Sequence, residues 1–238
     1  MMTEGSASAP GRWATVAELL VVLTVPLGVL ALATPIAHGD PVRSQILAWV
    51  VNVIALALVW LGLRFRNEGW SHLGLPMKRP TATALLRTAG ASAVVFVVSL
   101  AAFVLGAIVA ANLFGIPEAT DTGGYAYMRG HLPLLLGALA AAYLASSLGE
   151  EIVYRGFLIN RLASLSGSRH RWRWAVGVSA VVFGLAHFSW GPAGMVQTGF
   201  MGIALGAAYV RLDRRLWVTV LAHAYLDTIL FVQMYLGA

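Results

Sequence analysis

Besides Glu18, six ionisable side chains stand inside apolar stretches of this 238-residue chain: Glu150, Glu151 and Arg155, then His187, then His223 and Asp227. An ionisable group in hydrocarbon costs about 2.5–3.5 kcal/mol even on insertion scales, so each is a functional candidate. Arg155 follows Glu151 by four residues, which on a helix puts both on one face and lets the guanidinium neutralise the carboxylate. Glu150 points about 100° away and has no such local partner. Two adjacent carboxylates in low dielectric cannot both ionise cheaply, so a paired acid beside an unpaired one is the pattern of a structural acid next to a general base. His223 and Asp227 share a face by the same four-residue spacing. Together these groups supply a base for water, a histidine to position it or share its proton, and a second histidine for an oxyanion. Glu150, His187, His223 and Asp227 would equally suit a divalent metal such as zinc, although no His-Glu-x-x-His helix makes that assignment specific. A buried ion-pair staple with interfacial histidines is the purely structural alternative.

The elements that must position these groups are membrane spans. Hydrophobic residues make up 59% of the chain and charged residues 11%, with a mean hydropathy of +0.77. Apolar runs extend over about 16–34, 46–63, 88–114, 133–158, 175–188, 193–210 and 216–236. The fold expected is all-α, a polytopic bundle of about seven spans with a polar cavity among the C-terminal ones. A transmembrane barrel is excluded, because the runs are continuous and not alternating. The absence of cysteine removes thiolate metal sites, disulfides and cysteine nucleophiles. Gly199, Gly202 and Gly206 read as a close-packing stripe.

Basic residues fix the expected orientation. Arg12, then Arg64, Arg66, Lys78, Arg79 and Arg87, then Arg161, Arg169, Arg171 and Arg173, then Arg211, Arg214 and Arg215 fall on one side; Arg43 and Arg129 fall on the other. The N-terminus is therefore expected in the cytoplasm and the C-terminus outside the cell membrane. Trp13, Trp60, Trp70, Trp172, Trp174 and Trp217 flank span ends as interfacial anchors do. The net charge of +6 thus serves topology, and no nucleic-acid partner is expected. Residues 1–15 are expected to be a disordered cytoplasmic N-terminus, and 16–131 a set of N-terminal spans. The first span reads as retained rather than as a cleaved signal, being long and containing Glu18.

Glu150-Glu151 with Arg155, Phe183 with His187, and His223 with a polar residue four later, in this order on successive spans, resemble the CPBP intramembrane proteases. That family comprises type II CAAX prenyl endopeptidases and bacteriocin-processing or self-immunity (Abi) proteins. The resemblance covers roughly residues 132–236, so 132–238 is expected to be the catalytic membrane domain, and Gly69 to Leu75 resembles a short segment that often precedes it. It implies hydrolysis of a peptide bond in a membrane-associated peptide or protein. Glu150 would activate water, His187 would assist, His223 with residue 227 would support the oxyanion, and Glu151 with Arg155 would hold the helix. The departure is Asp227, where the prenyl-endopeptidase pattern has Asn; an ionised Asp cannot donate a hydrogen bond to an oxyanion, which leaves orienting His223 or binding metal as its roles. The family is often called metalloprotease, yet a glutamate-and-histidine mechanism without metal fits the same residues.

Fifteen arginines against a single lysine resemble the usage of a GC-rich bacterial genome, where leader peptides, pheromone precursors, bacteriocins or regulatory membrane proteins are the expected substrates. The competing function is a non-catalytic scaffold or self-immunity protein of the same fold that binds partner membrane proteins. A proton or ion pathway fits less well, because the acids and histidines do not string across the bilayer. Depth poses a geometric demand: His223 lies roughly 10 Å and His187 roughly 20 Å along their helices from the same side. Meeting it requires the 189–194 loop to sink into the bundle.

Overall fold

A computed structural model describes residues 11–37, 39–76, 79–115 and 127–237. The helices are α1 (Arg12–Ala37), α2 (Pro41–Phe65), α3 (Ala82–Phe114), α4 (Leu132–Ser164), α5 (Arg171–Ala186), α6 (Gly191–Arg211) and α7 (Leu216–Leu236). Single 3₁₀ turns stand at Trp70–Leu73 and Phe188–Trp190. No strand occurs among the described residues, so the fold is the expected all-α bundle. Residues 1–10 of the expected disordered N-terminus, and Lys78, lie outside the described residues. Residues 12–15 are helical and open α1, extending it one turn ahead of the apolar run.

Six helices are long and apolar enough to cross a membrane, α5 being the exception among the seven expected spans. Its 16 residues reach about 24 Å at 1.5 Å per residue, short of the roughly 30 Å hydrocarbon thickness. Large apolar side chains such as Leu32 and Val94 face outward from the helices, as a chain dissolved in lipid requires. The chain is a multi-pass membrane protein.

The C-terminal helices pack tightly. α6 lies against α3 and α5, and α7 against α3 and α4, while α1 packs chiefly on α2. The glycine stripe expected on α6 is the seam with α5: a β-carbon on Gly202 would stand 3.2 Å from Ala180 Cα, and one on Gly184 2.6 Å from the Met195 carbonyl oxygen. Without side chains at these positions the two backbones approach closely, which gains van der Waals contact where no hydrophobic force draws helices together.

Within α4 the helix widens. Residues Ala142–Leu148 and Glu151–Ile159 form π-helical turns, the second beginning at Glu151, so that Gly149 and Glu150 stand between them. Such wide turns shift the faces on which side chains emerge and recur at functional sites. The expected 189–194 loop is a helical corner instead. Ser189 and Trp190 belong to a 3₁₀ turn, and Gly191 starts α6 with Pro192 in its first turn, where a missing N–H costs nothing. Phe188 and Trp190 are 53% and 40% exposed, so the corner is not sunken as anticipated.

The Gly69–Leu75 segment is structural cement. Leu73 is buried, its carbonyl accepts a hydrogen bond from Tyr209 (3.1 Å), and the Gly74 carbonyl accepts from the Leu216 backbone N–H (3.2 Å). Gly74 has φ +88°, and a side chain there would run into the Arg214 carbonyl, so only glycine fits.

Candidate active site

The centre of the bundle holds a chain of polar contacts between α4 and α7. Arg155 Nη1 lies 2.8 Å from Glu151 Oε1, and the same oxygen accepts from His223 Nδ1 at 3.0 Å. Glu151 and Arg155 are buried completely or nearly so, at 0% and 1% exposure. The pairing read from the four-residue spacing is therefore present, and Glu151 also fixes His223 on another helix. A donor on Nδ1 sets the imidazole's tautomer and aims Nε2 onward. His223 Nε2 stands 3.7 Å from Asp227 Oδ1, too long for a hydrogen bond, so Glu151 rather than Asp227 is the closer orienting partner. Asp227 Oδ2 accepts from the Ser147 hydroxyl at 2.7 Å.

Glu150 faces another way, as its position on the helix anticipates. Its Oε1 accepts from Asn52 Nδ2 of α2 at 3.3 Å, and its buried Oε2 has no hydrogen-bond partner among the described residues.

Phe183 joins the remaining parts. Its ring packs edge-on against His187 (4.8 Å between centroids), Tyr154 (5.0 Å) and His223 (6.2 Å). The Arg155 guanidinium carbon lies 4.3 Å from the centroid of the same ring, a cation–π contact. The two histidines thus flank one buried ring, although the corner after His187 stays exposed. What relates them is the shared contact with Phe183, one turn before His187, and not a sunken loop. His187 Nδ1 is 2.9 Å from the Phe183 carbonyl; since a carbonyl only accepts, Nδ1 carries the proton and Nε2 of the neutral ring keeps its lone pair. Among the described residues no hydrogen bond or ion pair joins His187 to Glu150.

The metal reading fares differently. Among the described residues no three His, Asp or Glu side chains form a set that could hold a metal ion. Glu151 takes His223 Nδ1 and Phe183 takes His187 Nδ1, which leaves both Nε2 atoms free, so what is missing is the convergence of three such side chains on one point. Glu150, His187, His223 and Asp227 as arranged do not fit a metal centre.

Two side chains at the site were missed in the sequence. Asn52 is the lone polar residue in the apolar run 46–63, a signal that was available. Ser147 carries none, since a helical serine ordinarily satisfies itself on its own backbone.

Neither a curated protein nor a solved structure matches the chain. One family model does, described as "Type II CAAX prenyl endopeptidase Rce1-like", over residues 132–229. That stretch begins with α4 and ends two residues beyond Asp227, so it holds every side chain of the cluster except Asn52. Residues 132–229 are therefore similar to the type II CAAX prenyl endopeptidase Rce1-like family, which supports the resemblance to the CPBP proteases that the order of the motifs carries.

Proposed function

We propose that this chain is an intramembrane endopeptidase that hydrolyses a peptide bond of a membrane-associated peptide or protein with water activated by Glu150. The observation that carries the reading is the contrast between neighbours: each keeps one oxygen without a hydrogen-bond partner among the described residues, but Glu151 is fully buried and tied through its other oxygen to Arg155 and His223, whereas Glu150 is half-buried and held only by the neutral amide of Asn52. A base must not be committed to neutralising a buried cation, and among the described residues only Glu151 of the two carries an ion pair, which leaves Glu150 for the proton.

In this mechanism water lies between Glu150 Oε2 and the scissile carbonyl carbon. Glu150 takes one proton as the water oxygen bonds to carbon, and the carbonyl oxygen becomes an oxyanion. His223, when protonated at Nε2, donates to that oxyanion; Asp227, an acceptor held by Ser147, orients rather than donates. His187, with its Nε2 lone pair free, assists proton transfer. The C–N bond then breaks and Glu150 returns its proton to the leaving amine. No step is routed through a metal, whose donor set the arrangement does not fit. The N-terminus in the cytoplasm and the C-terminus outside complete the proposal, on the arginine distribution, and they require the short α5 to cross as the seventh span.

Glu150→Gln and His187→Ala are each expected to reduce cleavage at least about a hundredfold, the usual scale for a lost acid–base group. Thermal unfolding in detergent should stay close to native for both. Retained cleavage in Glu150→Gln would refute the assignment.

A further inference from the structure

A second polar site lies at the basic end of the bundle, far along α4 from Glu150. The ends of α4 and α6, the start of α5 and the Trp70–Leu73 turn enclose a pocket of about 280 Å³. Its charged lining is Glu68, Arg161, Arg171 and Arg214, with His72 beside them. The inner part is already neutral: Arg161 pairs with Glu68 (2.6 Å) and Glu18 (3.1 Å), and Glu18 also takes Arg66 (2.6 Å). Arg171 and Arg214 have no carboxylate within ion-pair distance among the described residues, so they give the pocket its net positive charge.

These two arginines are arranged rather than loose. Their guanidinium carbons lie 5.5 and 5.7 Å from the ring centroid of Trp172, which lines the same pocket. Arg214 Nη1 donates to Asn160 Oδ1 at 3.1 Å, and Asn160 is itself anchored through its amide nitrogen to Tyr209 Oη at 2.7 Å. The backbone pays to aim Arg214: Asp213 and Arg214 both sit in the left-handed region, at φ 53° and 58°, a conformation costly for side chains other than glycine. Neighbouring contacts hold it there, since the Arg214 N–H donates to the Tyr209 carbonyl (2.8 Å) and Gly74 closes against the Arg214 carbonyl. Two guanidiniums without a carboxylate partner among the described residues, one of them steadied at Nη1 by Asn160, at a concave, partly polar pocket match the recognition of a phosphate. The pocket lies at helix ends beside an interfacial tryptophan, the depth at which lipid phosphates sit.

We propose that this pocket binds a phosphate group through Arg171 and Arg214, whether carried by a phospholipid headgroup or free in solution. The site is independent of the peptidase reading, and its test needs no cleavage. The full chain in detergent is titrated with dioleoylphosphatidylglycerol and followed by native mass spectrometry, and separately with inorganic phosphate and followed by thermal unfolding. Compared with native are Arg171→Gln/Arg214→Gln and, as a control, Arg173→Gln, an exposed arginine of α5 outside the pocket. One retained phospholipid, weakened at least about tenfold in the double variant and unchanged in the control, identifies the headgroup as the source; a tenfold loss corresponds to about 1.4 kcal/mol. Stabilisation by inorganic phosphate that is lost only in the double variant identifies free phosphate. Binding of neither probe, or equal weakening in the double variant and the control, would overturn the proposal.

Discussion

At the residue scale, the cluster is an asymmetric use of two identical acids. Glu151 pairs with both Arg155 and His223 through a single oxygen, with Glu151 and Arg155 at 0% and 1% exposure. Removing one partner of a buried pair strands the other charge, at a cost of about 3–5 kcal/mol, whereas replacing both is far milder. Arg155→Met should therefore lower the unfolding temperature sharply, and Glu151→Gln/Arg155→Met should recover much of the loss, giving a non-additive cycle by thermal unfolding. Simple additivity would mean that the two residues do not act as a pair. Asn52 acts on the other acid. Asn52→Leu removes a hydrogen bond to a charged group, worth about 1.5–3 kcal/mol, and is expected to cut cleavage about ten- to a hundredfold while the unfolding temperature changes little; unaltered cleavage would show that Glu150 needs no help from α2. The Glu151–Arg155 pair was legible because both residues lie on one helix four apart. The Glu151–His223 bond was not, because it depends on how α4 meets α7, and the two residues are 72 apart in the chain.

At the element scale, the seam between α5 and α6 sets the position of Phe183 and His187. Gly202 abuts both Ala180 and Phe183, each 3.2 Å from where its β-carbon would stand. Gly202→Leu should push α5 away and displace the Phe183 ring from Arg155 and His223, lowering both cleavage and the unfolding temperature, whereas Gly137→Leu, on open space, should leave both near native. Equal tolerance at the two positions would argue against the seam. The stripe was legible from spacing alone, as was the shortness of α5. The helical corner after His187 was not: Ser189, Gly191, Pro192 and Gly194 read locally as a loop, yet proline and glycine are tolerated in a first helical turn. Nor were the π turns of α4, since a run of Ala, Leu and Ser is compatible with either winding.

At the scale of the whole molecule, the N-terminal helices do more than fill the membrane. α1 brings Glu18 to Arg66 and Arg161, and α2 brings Asn52 to Glu150, so the Rce1-like stretch is completed by residues that lie before it. Glu18 was visible as an ion in an apolar run, but its partners, Arg66 just past α2 and Arg161 on α4, were not. The central claim is that the intact chain cuts a peptide bond with Glu150. Its most direct test compares the N-termini of membrane proteins, by N-terminal peptide mass spectrometry, in host cells carrying the native chain and in cells carrying Glu150→Gln at matched abundance. Reproducible new termini confined to the native chain are the expected result, and they would name the substrate. Identical termini in the two, with a cellular phenotype preserved in Glu150→Gln, would contradict the account.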